Sequence, residues 1–419
     1  MPKIFMDVTP LRRFPQFRRL WIGYTISQLG SQLTVVAVAY QVFRLTGSSL
    51  DVGLISFAQL FPSIIGPVFG GSLADAMDRR KLLLITNVLV GSCSVALAIN
   101  SGLRHPAIWP LFVFAAISAG FSGVDNPTRT AAMVSLIDRD SLVAASALRT
   151  LMQQIAYVVG PALAGALLAV FNLSVVFWVD VATFGAAIIS VFSISPSIPQ
   201  GGGTKFGLDS IKEGFAYLKG RQAIQGVFIA DFNAMVLGMP TALFPAIGLV
   251  HFHGNAETVG LLYSAPGVGA FLGASLSGWT THIRRLGRAI IICVVIWGLG
   301  ITAFGLVPNF ALALLLIGIA GGADVVSAVF RGTILQSEVP DRLRGRLTAI
   351  QSAVVQGGPR LGNTEAGVVA ALSNTQISVV SGGLGCIAGI LLIGRFMPRF
   401  ADYDIKLADK PHLEKPIET

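Results

Sequence analysis

Residues 52–71 read VGLISFAQLFPSIIGPVFGG, and residues 259–278 read VGLLYSAPGVGAFLGASLSG. Both stretches are apolar and long enough to form a helix of five to six turns. Three glycines recur between them at a constant separation of 207 residues: Gly53 with Gly260, Gly66 with Gly273 and Gly71 with Gly278. The recurrence predicts a chain made of two structurally similar halves.

Two further matches extend the repeat along the chain. Gly120 and Arg129 recur as Gly322 and Arg331 at a separation of 202 residues, and GPALAG at 160–165 recurs as GPRLGN at 358–363. Repeated apolar halves are typical of transporters, in which the substrate site lies between the halves near the middle of the membrane.

The composition indicates a membrane protein. Of 419 residues, 53% are hydrophobic and 12% are charged, whereas soluble domains carry about 25% charged residues. Segments of about 20 apolar residues cross a bilayer as helices. The sequence therefore predicts an all-α membrane protein whose twelve transmembrane helices form two pseudo-symmetric six-helix bundles, with spans near 20–45, 50–74, 81–103, 107–137, 142–171, 173–194, 223–250, 257–280, 288–307, 309–335, 344–372 and 376–396.

The basic residues predict the orientation of these spans. Of the 30 Lys and Arg residues, Arg44 and Arg104 lie in loops on one side and four lie within spans, which leaves 24 on the side that holds both termini. Cytoplasmic loops carry this excess of positive charge. We therefore expect a multi-pass protein of the plasma membrane with both termini in the cytoplasm, whose net charge of +9 reflects topology and does not indicate a nucleic-acid partner.

One polar stretch divides the chain. Residues 195–222 contain Pro, three consecutive Gly residues and mixed charge. This predicts an N-terminal bundle at 1–194, a cytoplasmic linker at 195–222, a C-terminal bundle at 223–397 and a cytoplasmic tail at 398–419. The second part of the linker has the apolar spacing of an amphipathic helix that could lie on the membrane surface.

The motifs of common enzymes and metal sites are missing from the sequence. It contains no phosphate-binding P-loop, no HExxH and no GxSxG. The three cysteines are far apart within apolar spans, and the pair His251 and His253 has only Glu257 nearby. We expect neither an enzyme nor a metal or cofactor site. A sensor is disfavoured as well, because the tail is too short to form an output domain.

The loop GGSLADAMDRRK at 70–81 resembles the signature loop of the major facilitator superfamily, with the pattern Gly-x-x-x-Asp-Arg/Lys-x-Gly-Arg-Arg/Lys. Ala76 and Asp78 depart from the pattern, and the matching residues are Gly71, Asp75, Arg79 and Arg80. The segments at 126–148 and 339–353 are similar to the branch of enterobactin (siderophore) exporters and its drug–proton antiporter relatives. The resemblance covers residues 12–397.

The resemblance implies a role for the signature loop at an inner gate. It implies that Asp75 latches the cytoplasmic side shut by binding the other half, near Gly345 at the start of the eleventh span. An aspartate at a helix N-terminus is stabilised by about 0.3–1 kcal/mol. Arg129 could instead hold Asp75 within its own half. The alternative interpretation is that the loop serves only to orient the chain in the membrane.

A second motif favours export over uptake. Gly160, Pro161 and Gly165 in GPALAG resemble the fifth-span motif of antiporters, in which Ala156 and Ala166 stand here where Gly is usual. Small residues let helices approach closely, and proline bends a helix. Helix packing alone is the alternative interpretation.

Charged residues within spans are candidate functional residues, because burying them in a bilayer is costly. Since spans 1, 4, 7 and 10 line the cavity in this superfamily, the resemblance favours Asp125, Asp231 and Asp324 among the acids. We expect Asp324 and Arg331 to share a helix face without touching. Our hypothesis is that Asp324 and Arg360 form a proton-sensitive pair across the cavity, with Asp231 or Glu365 as a second carboxyl group, or else a permanent ion pair. Gln28 is a candidate for substrate hydrogen bonding.

These observations favour a secondary active transporter that works by alternating access. The predicted function is proton-coupled efflux of a small amphipathic molecule, a siderophore or a drug, with the proton gradient as energy source. The alternative is uptake or facilitated transport of a small metabolite. The family resemblance implies a monomer in the lipid bilayer.

Overall fold

The protein is built of helices joined by short loops. A computed structural model describes residues 7–197 and 216–405, and within these residues no β-sheet forms. The all-helical fold predicted from the sequence is confirmed. The helices are α1 Thr9–Arg13, α2 Pro15–Thr46, α3 Ser49–Ala76, α4 Arg79–Gly102, α5 Trp109–Ser135, α6 Leu142–Val170, α7 Leu173–Phe192, α8 Gln222–Leu237, α9 Phe244–Ala246, α10 Ala256–Ser275, α11 Leu286–Leu306, α12 Phe310–Glu338, α13 Asp341–Leu372, α14 Thr375–Phe396 and α15 Pro398–Ala401.

Eight helical segments in the described ranges are long and apolar enough to cross a membrane. They are Ser49–Ala76, Arg79–Gly102, Arg139–Val170, Leu173–Phe192, Gln222–His251, Leu286–Leu306, Phe310–Glu338 and Thr375–Phe396. The four other predicted spans are helices of 20 to 32 residues, namely α2, α5, α10 and α13. The chain is thus a multi-pass membrane protein, and a membrane crossing by each of these four helices stays a prediction.

The predicted linker and the predicted tail lie largely outside the described residues. Residues 198–215 contain most of the predicted amphipathic helix, and residues 406–419 contain most of the predicted tail. The bounds of the four predicted segments therefore stay predictions.

Side-chain caps begin several helices at the tight turns of one end of the bundle. Ser48, Asn172, Asn255, Asn309 and Asn374 each accept a hydrogen bond from a backbone N–H of the first helical turn. Such caps satisfy backbone donors that have no partner within the helix. We call this end the opposite face. The linker face is the other end, where α7 ends and α8 begins.

Two helix pairs join the N-terminal half to the C-terminal half. Helix α3 packs against α13, and α6 packs against α10. Backbone approaches backbone in both seams: a Cβ atom built at Gly165 would lie 2.9 Å from the Gly260 Cα, and one at Gly53 would lie 2.7 Å from the Asn363 carbonyl oxygen. Since Gly53 and Gly260 are equivalent in the sequence repeat, the two seams are copies of one contact.

The two halves are joined at the opposite face and separate at the linker face. One core cluster at the opposite face contains residues of both halves, from Leu33 to Val259. At the linker face each half has its own cluster, one around Phe17 and one around Phe330. A Cβ built at Gly71 or Gly345 would meet no atom within 4 Å. The structure is therefore closed at the opposite face and open at the linker face.

The seventh predicted span is broken, whereas we expected one continuous segment over 223–250. Helix α8 ends at Leu237 and the helix resumes after Pro240. Proline has no backbone N–H and its ring clashes with the preceding turn. The break is therefore a consequence of the Gly-Met-Pro sequence at 238–240 within an apolar run.

A larger side chain at the α6–α10 seam tests the closed opposite face. In Gly260→Leu the new atoms would meet the backbone of Pro161 and Gly165, which cannot rotate away. We expect the purified protein to lose about 1–3 kcal/mol of stability from overpacking, measured by thermal unfolding in detergent.

Gly278→Leu is the matched control, because Gly278 lies further along the same repeat and a Cβ there meets no atom within 4 Å. Equal stability of the two variants would contradict the seam.

Candidate functional site

An ion cluster lies within the C-terminal half and joins α8 to α12. Arg331 Nη2 lies 3.0 Å from Asp231 Oδ1 and 3.2 Å from Asp324 Oδ1. Arg331 Nη1 also donates a hydrogen bond to Ser327 at 3.0 Å. Asp231 Oδ1 has no directed hydrogen bond, so its contact with Arg331 is an ion contact with poor N–H alignment. Two carboxyl groups thus share one guanidinium.

The expectation that Asp324 and Arg331 do not touch was wrong. The residues are two turns apart on α12, but a helical side chain points towards the N-terminus of its helix. The long arginine side chain therefore reaches back over both turns to Asp324.

A related cluster lies within the N-terminal half. Arg129 binds Asp125 through two contacts, Nε to Oδ2 at 2.7 Å and Nη2 to Oδ1 at 2.9 Å. Thr86 and Asn87 on α4 donate to the same carboxylate at 2.9 and 3.1 Å. The Arg129 guanidinium lies over the Tyr24 ring, 5.0 Å from its centroid. This carboxylate and guanidinium neutralise one another.

The sequence repeat relates the two clusters position by position. A separation of 207 residues pairs Tyr24 with Asp231, and a separation of 202 pairs Ser122 with Asp324 and Asp125 with Ser327. The arginine is kept in both halves, while its carboxylate partners stand at different positions. With every group ionised, the C-terminal cluster carries a net charge of −1 and the Asp125–Arg129 pair carries none.

A central cavity of about 370 Å³ lies between the halves. Its walls come from α2, α6, the broken seventh span, α10, α11 and α12, and they are largely apolar and aromatic. The aromatic residues are Tyr157, Phe244, Tyr263 and Trp297, and the polar residues include Gln32, Gln154, Thr241 and Asp324. The cavity therefore presents rings and a few hydrogen-bonding groups to a molecule between the two halves.

Asp324 belongs to both the cavity and the ion cluster. Its side chain is 26% exposed, whereas that of Asp231 is 3% exposed. A molecule or a proton in the cavity therefore reaches Asp324 directly. Because Arg331 contacts Asp324, a change in the charge of Asp324 alters the electrostatic environment of Arg331.

Three neighbouring helices support the break in the seventh span. Trp297 Nε1 donates to the Gly238 carbonyl at 2.9 Å, and the Tyr263 hydroxyl donates to the Thr241 carbonyl at 2.8 Å. The Asn363 side chain accepts from the Thr241 hydroxyl at 2.7 Å and from the Ala242 N–H at 2.9 Å. Irregular backbone within a membrane needs such partners, so these side chains fix the shape of the cavity wall.

Arg360 does not contact Asp324, contrary to the pair that we hypothesised. Its Nη1 donates to the Gln356 carbonyl at 2.7 Å, and its buried Nε has no hydrogen-bond partner. In the described part of the chain no carboxylate lies within ion-pair distance of Arg360. Arg331 binds Asp324 instead because it lies on the same helix.

Gln28 and Glu365, two further candidates from the sequence, lie in different halves of the protein. Gln28 lines a separate small cavity of about 60 Å³ in the N-terminal half, together with Asp125 and Arg129. Glu365 on α13 is half-buried and does not belong to either cluster. The structure thus brings Asp231, Asp324 and Arg331 together, and leaves Glu365 and Arg360 outside that cluster.

The signature loop is open in this conformation. Asp75 is exposed and, among the described residues, has no ion-pair partner. Arg129 is engaged by Asp125, so it does not hold Asp75. Arg79 donates to the carbonyls of Ala74 and Ala131, each at 3.4 Å. A Cβ at Gly71 would meet no atom within 4 Å, as expected where the two halves are separated at the linker face.

The antiporter-like motif lies in tight helix seams. A Cβ at Gly160 would lie 3.1 Å from Gln32 Cγ on α2, and Gly165 meets Gly260 on α10. Pro161 is buried between them and its carbonyl faces Gly260. The motif therefore packs α6 against α2 of its own half and against α10 of the C-terminal half.

The sequence analysis missed Tyr24, Thr86 and Asn87 as partners of the N-terminal cluster. The repeat held a signal for one of them, because Tyr24 stands 207 residues before Asp231. The described residues hold no group of three or more His, Cys, Asp and Glu side chains arranged to bind a metal ion.

Removing the shared guanidinium should expose the charge imbalance. In Arg331→Met the buried Asp231 and the partly exposed Asp324 lose their counter-charge, and removing one partner of a buried pair costs about 3–5 kcal/mol. We expect little folded protein, measured as monodisperse material and by thermal unfolding.

The neutral variant Asp231→Asn/Asp324→Asn/Arg331→Met should recover most of that stability. If it is as unstable as Arg331→Met, the arginine stabilises the fold by packing and not by charge.

The chain matches the family described as "Transmembrane secretion effector" over residues 6–418. Among curated relatives, the enterobactin exporter EntS of Citrobacter koseri is 26% identical over 389 residues, which cover 93% of each chain. EntS of Shigella boydii is also 26% identical over 93% of each chain.

Solved transporter structures share the fold. The nucleoside transporter NupG superimposes with a TM-score of 0.74 at 14% identity, over 93% of this chain and all of its own. A bacterial homolog of the human lysosomal transporter Spinster, in an inward-facing and unoccupied conformation, gives a TM-score of 0.69 at 15% identity, over 96% of this chain and 98% of its own. At these identities the likeness shows the fold alone.

Proposed function

Because the chain belongs to the transmembrane secretion effector family, within the major facilitator superfamily, we propose that it exports a small amphipathic molecule in exchange for protons. The protein is a membrane transporter and not an enzyme, as the sequence analysis predicted. The exchange, its cargo and its coupling ion are the proposal.

One observation carries the proposal: Asp324 lines the central cavity and also binds Arg331. Like charges at close range resist simultaneous ionisation. Asp231 and Asp324 share one guanidinium, and one proton makes this cluster neutral. Cargo that occupies the cavity beside Asp324 competes with that proton for the same carboxyl group, which is the requirement for antiport.

The open linker face supports loading from one side. We expect this face to be cytoplasmic, since the sequence places 24 of the 30 basic residues there. In this conformation cargo enters between the halves while the glycine seams close the opposite face. Protonation of Asp324 from the other side then resets the empty carrier. We propose that a monomer in the plasma membrane performs the cycle.

The cavity wall favours cargo with an aromatic or apolar body. A volume of about 370 Å³ falls within the ~300–1,000 Å³ of small-molecule sites, and four aromatic side chains line it. Relatives at 26% identity are enterobactin exporters. Catecholate siderophores are therefore the first cargo to test, and lipophilic drugs are the second.

Proton release from inverted membrane vesicles tests the exchange. Vesicles that contain the protein are energised, candidate cargoes are added one at a time, and a pH-sensitive dye reports protons leaving the lumen. We expect cargo-dependent release in the wild type and its loss in Asp324→Asn, because an amide cannot carry the proton.

Asp180→Asn is the matched control. Asp180 is another buried carboxyl group within a span, but it accepts hydrogen bonds from Thr34 and Ser94, each at 2.7 Å, and does not line the central cavity. Full coupling in Asp324→Asn would rule out the proposed proton site. Cargo movement without proton release in the wild type would favour facilitated transport or uptake.

We further propose that Asp75 binds the start of α13 when the linker face closes. The Asp75 side chain is exposed and unpaired here among the described residues, and a Cβ at Gly345 meets no atom within 4 Å. A carboxylate at a helix N-terminus is worth about 0.3–1 kcal/mol, so losing it shifts the carrier towards the open linker face.

A cysteine at Gly71 reports this shift through its reaction with a maleimide in detergent, where the three native cysteines are buried. Asp75→Asn should raise labelling at Gly71→Cys by about twofold to fivefold. Asp51→Asn, at the other end of α3, is the control, and equal labelling in both backgrounds would exclude the latch.

A further inference from the structure

At the linker face, α2, α4 and α7 of the N-terminal half correspond in chain order to α8, α11 and α14 of the C-terminal half. In the C-terminal half, α15 packs against α8, α11 and α14 and closes this corner. Phe400 of α15 is fully buried. It lies against Gly226 and Gly287, where a Cβ would come within 2.6 Å of the Phe400 side chain and 2.7 Å of its carbonyl carbon.

The same corner of the C-terminal half also contains an acidic group. Asp402, just after α15, binds Arg288 at the start of α11, with Oδ1 2.6 Å from Nη2 and 3.2 Å from Nε. Phe400 and Asp402 therefore supply a buried aromatic ring and a carboxylate to this corner.

The repeat places three basic residues at the equivalent positions of the N-terminal half. A separation of 207 residues pairs Arg19 with Gly226, Arg80 with Gly287 and Lys81 with Arg288. In residues 7–197 and 216–405, no carboxylate lies within ion-pair distance of these three residues. The same separation pairs Asp402 with Ser195, so this corner of the N-terminal half has a serine where the C-terminal half has a carboxylate.

Arg19 and Arg80 are held in place by the end of α7. Arg19 Nη1 donates to the Ser193 carbonyl at 3.0 Å, and Arg80 Nη2 donates to the Phe192 carbonyl at 2.6 Å. The Arg80 guanidinium lies 5.0 Å from the Phe192 ring centroid, and its buried Nε has no hydrogen-bond partner. The two guanidinium groups therefore bind consecutive carbonyls at the end of α7, and each uses one N–H donor in this contact.

Exposed apolar side chains continue from this basic corner along the outer surface. On α7, Phe192 is 67% and Ile189 is 69% exposed, and on α4, Ile85 is 47% exposed. A surface with cations at its end and apolar side chains below matches a phospholipid, whose phosphate is anionic and whose acyl chains are apolar.

We propose that the corner of α2, α4 and α7 at the linker face binds an anionic phospholipid. Its headgroup supplies the negative charge that Asp402 supplies in the other half and contacts Arg19, Arg80 and Lys81. Its acyl chains lie on the exposed side chains of α4 and α7. This inference is independent of the proposed transport activity.

Native mass spectrometry of the full-length protein tests the proposal. The protein is released from mixed micelles that contain equal amounts of phosphatidylglycerol and phosphatidylcholine, and the retained lipids are counted. We expect retention of phosphatidylglycerol over phosphatidylcholine. In Arg19→Gln/Lys81→Gln the preference should fall by roughly 25-fold, since each basic residue near an anionic lipid contributes about 1 kcal/mol, or about fivefold.

Two controls keep the test decisive. Arg288→Gln removes the equivalent charge of the other half and should leave the preference unchanged. Arg19→Lys/Lys81→Arg retains both charges and should retain most of the preference, which separates charge loss from misfolding. An unchanged preference in Arg19→Gln/Lys81→Gln, or its loss in Arg288→Gln, would overturn the site. Displacement of the lipid by millimolar inorganic phosphate would show a phosphate site and overturn the lipid assignment.

Discussion

Two carboxyl groups and one guanidinium meet in the C-terminal half, and the proposed exchange depends on this imbalance of charge. A buried charge is stable only when it is paired. Arg331 can neutralise Asp231 or Asp324 but not both, so a second positive charge has to come from outside the protein. Asp324 is the group that the cavity reaches. The cluster therefore connects the charge state of the protein to the contents of the cavity.

The N-terminal half shows the same architecture without the imbalance. Arg129 has one carboxylate, and an aromatic ring stands where the C-terminal half has Asp231. Thr86 and Asn87 donate hydrogen bonds to the Asp125 carboxylate and hold it in place. The two similar halves thus differ in charge balance, because the N-terminal cluster pairs one carboxylate with one guanidinium and the C-terminal cluster holds two carboxyl groups and one guanidinium.

Much of the fold was predictable from the sequence, because apolar length and repeated glycines are properties of the chain itself. Gly53 and Gly260 were identified by spacing alone, and both lie in the seams between the halves. The partner of Asp324 was not predictable in this way. Whether Arg331 or Arg360 reaches Asp324 depends on side-chain direction over two helical turns. The contact of Tyr24 with Arg129 likewise depends on how α2 packs against α5, although the repeat already related Tyr24 to Asp231. The break after α8 had a local signal in Pro240, hidden within an apolar run.

The glycine seams of the opposite face have a consequence for the speed of the cycle. Where backbone meets backbone, as at Gly165 and Gly260, no long side chain has to be ordered when the seam forms or released when it parts. Ordering a side chain costs up to about 2 kcal/mol of entropy, and these seams avoid that cost at their closest points. Two smooth surfaces of this kind can separate and rejoin without rotamer rearrangement, so the seal can be tight while its opening and closing remain fast.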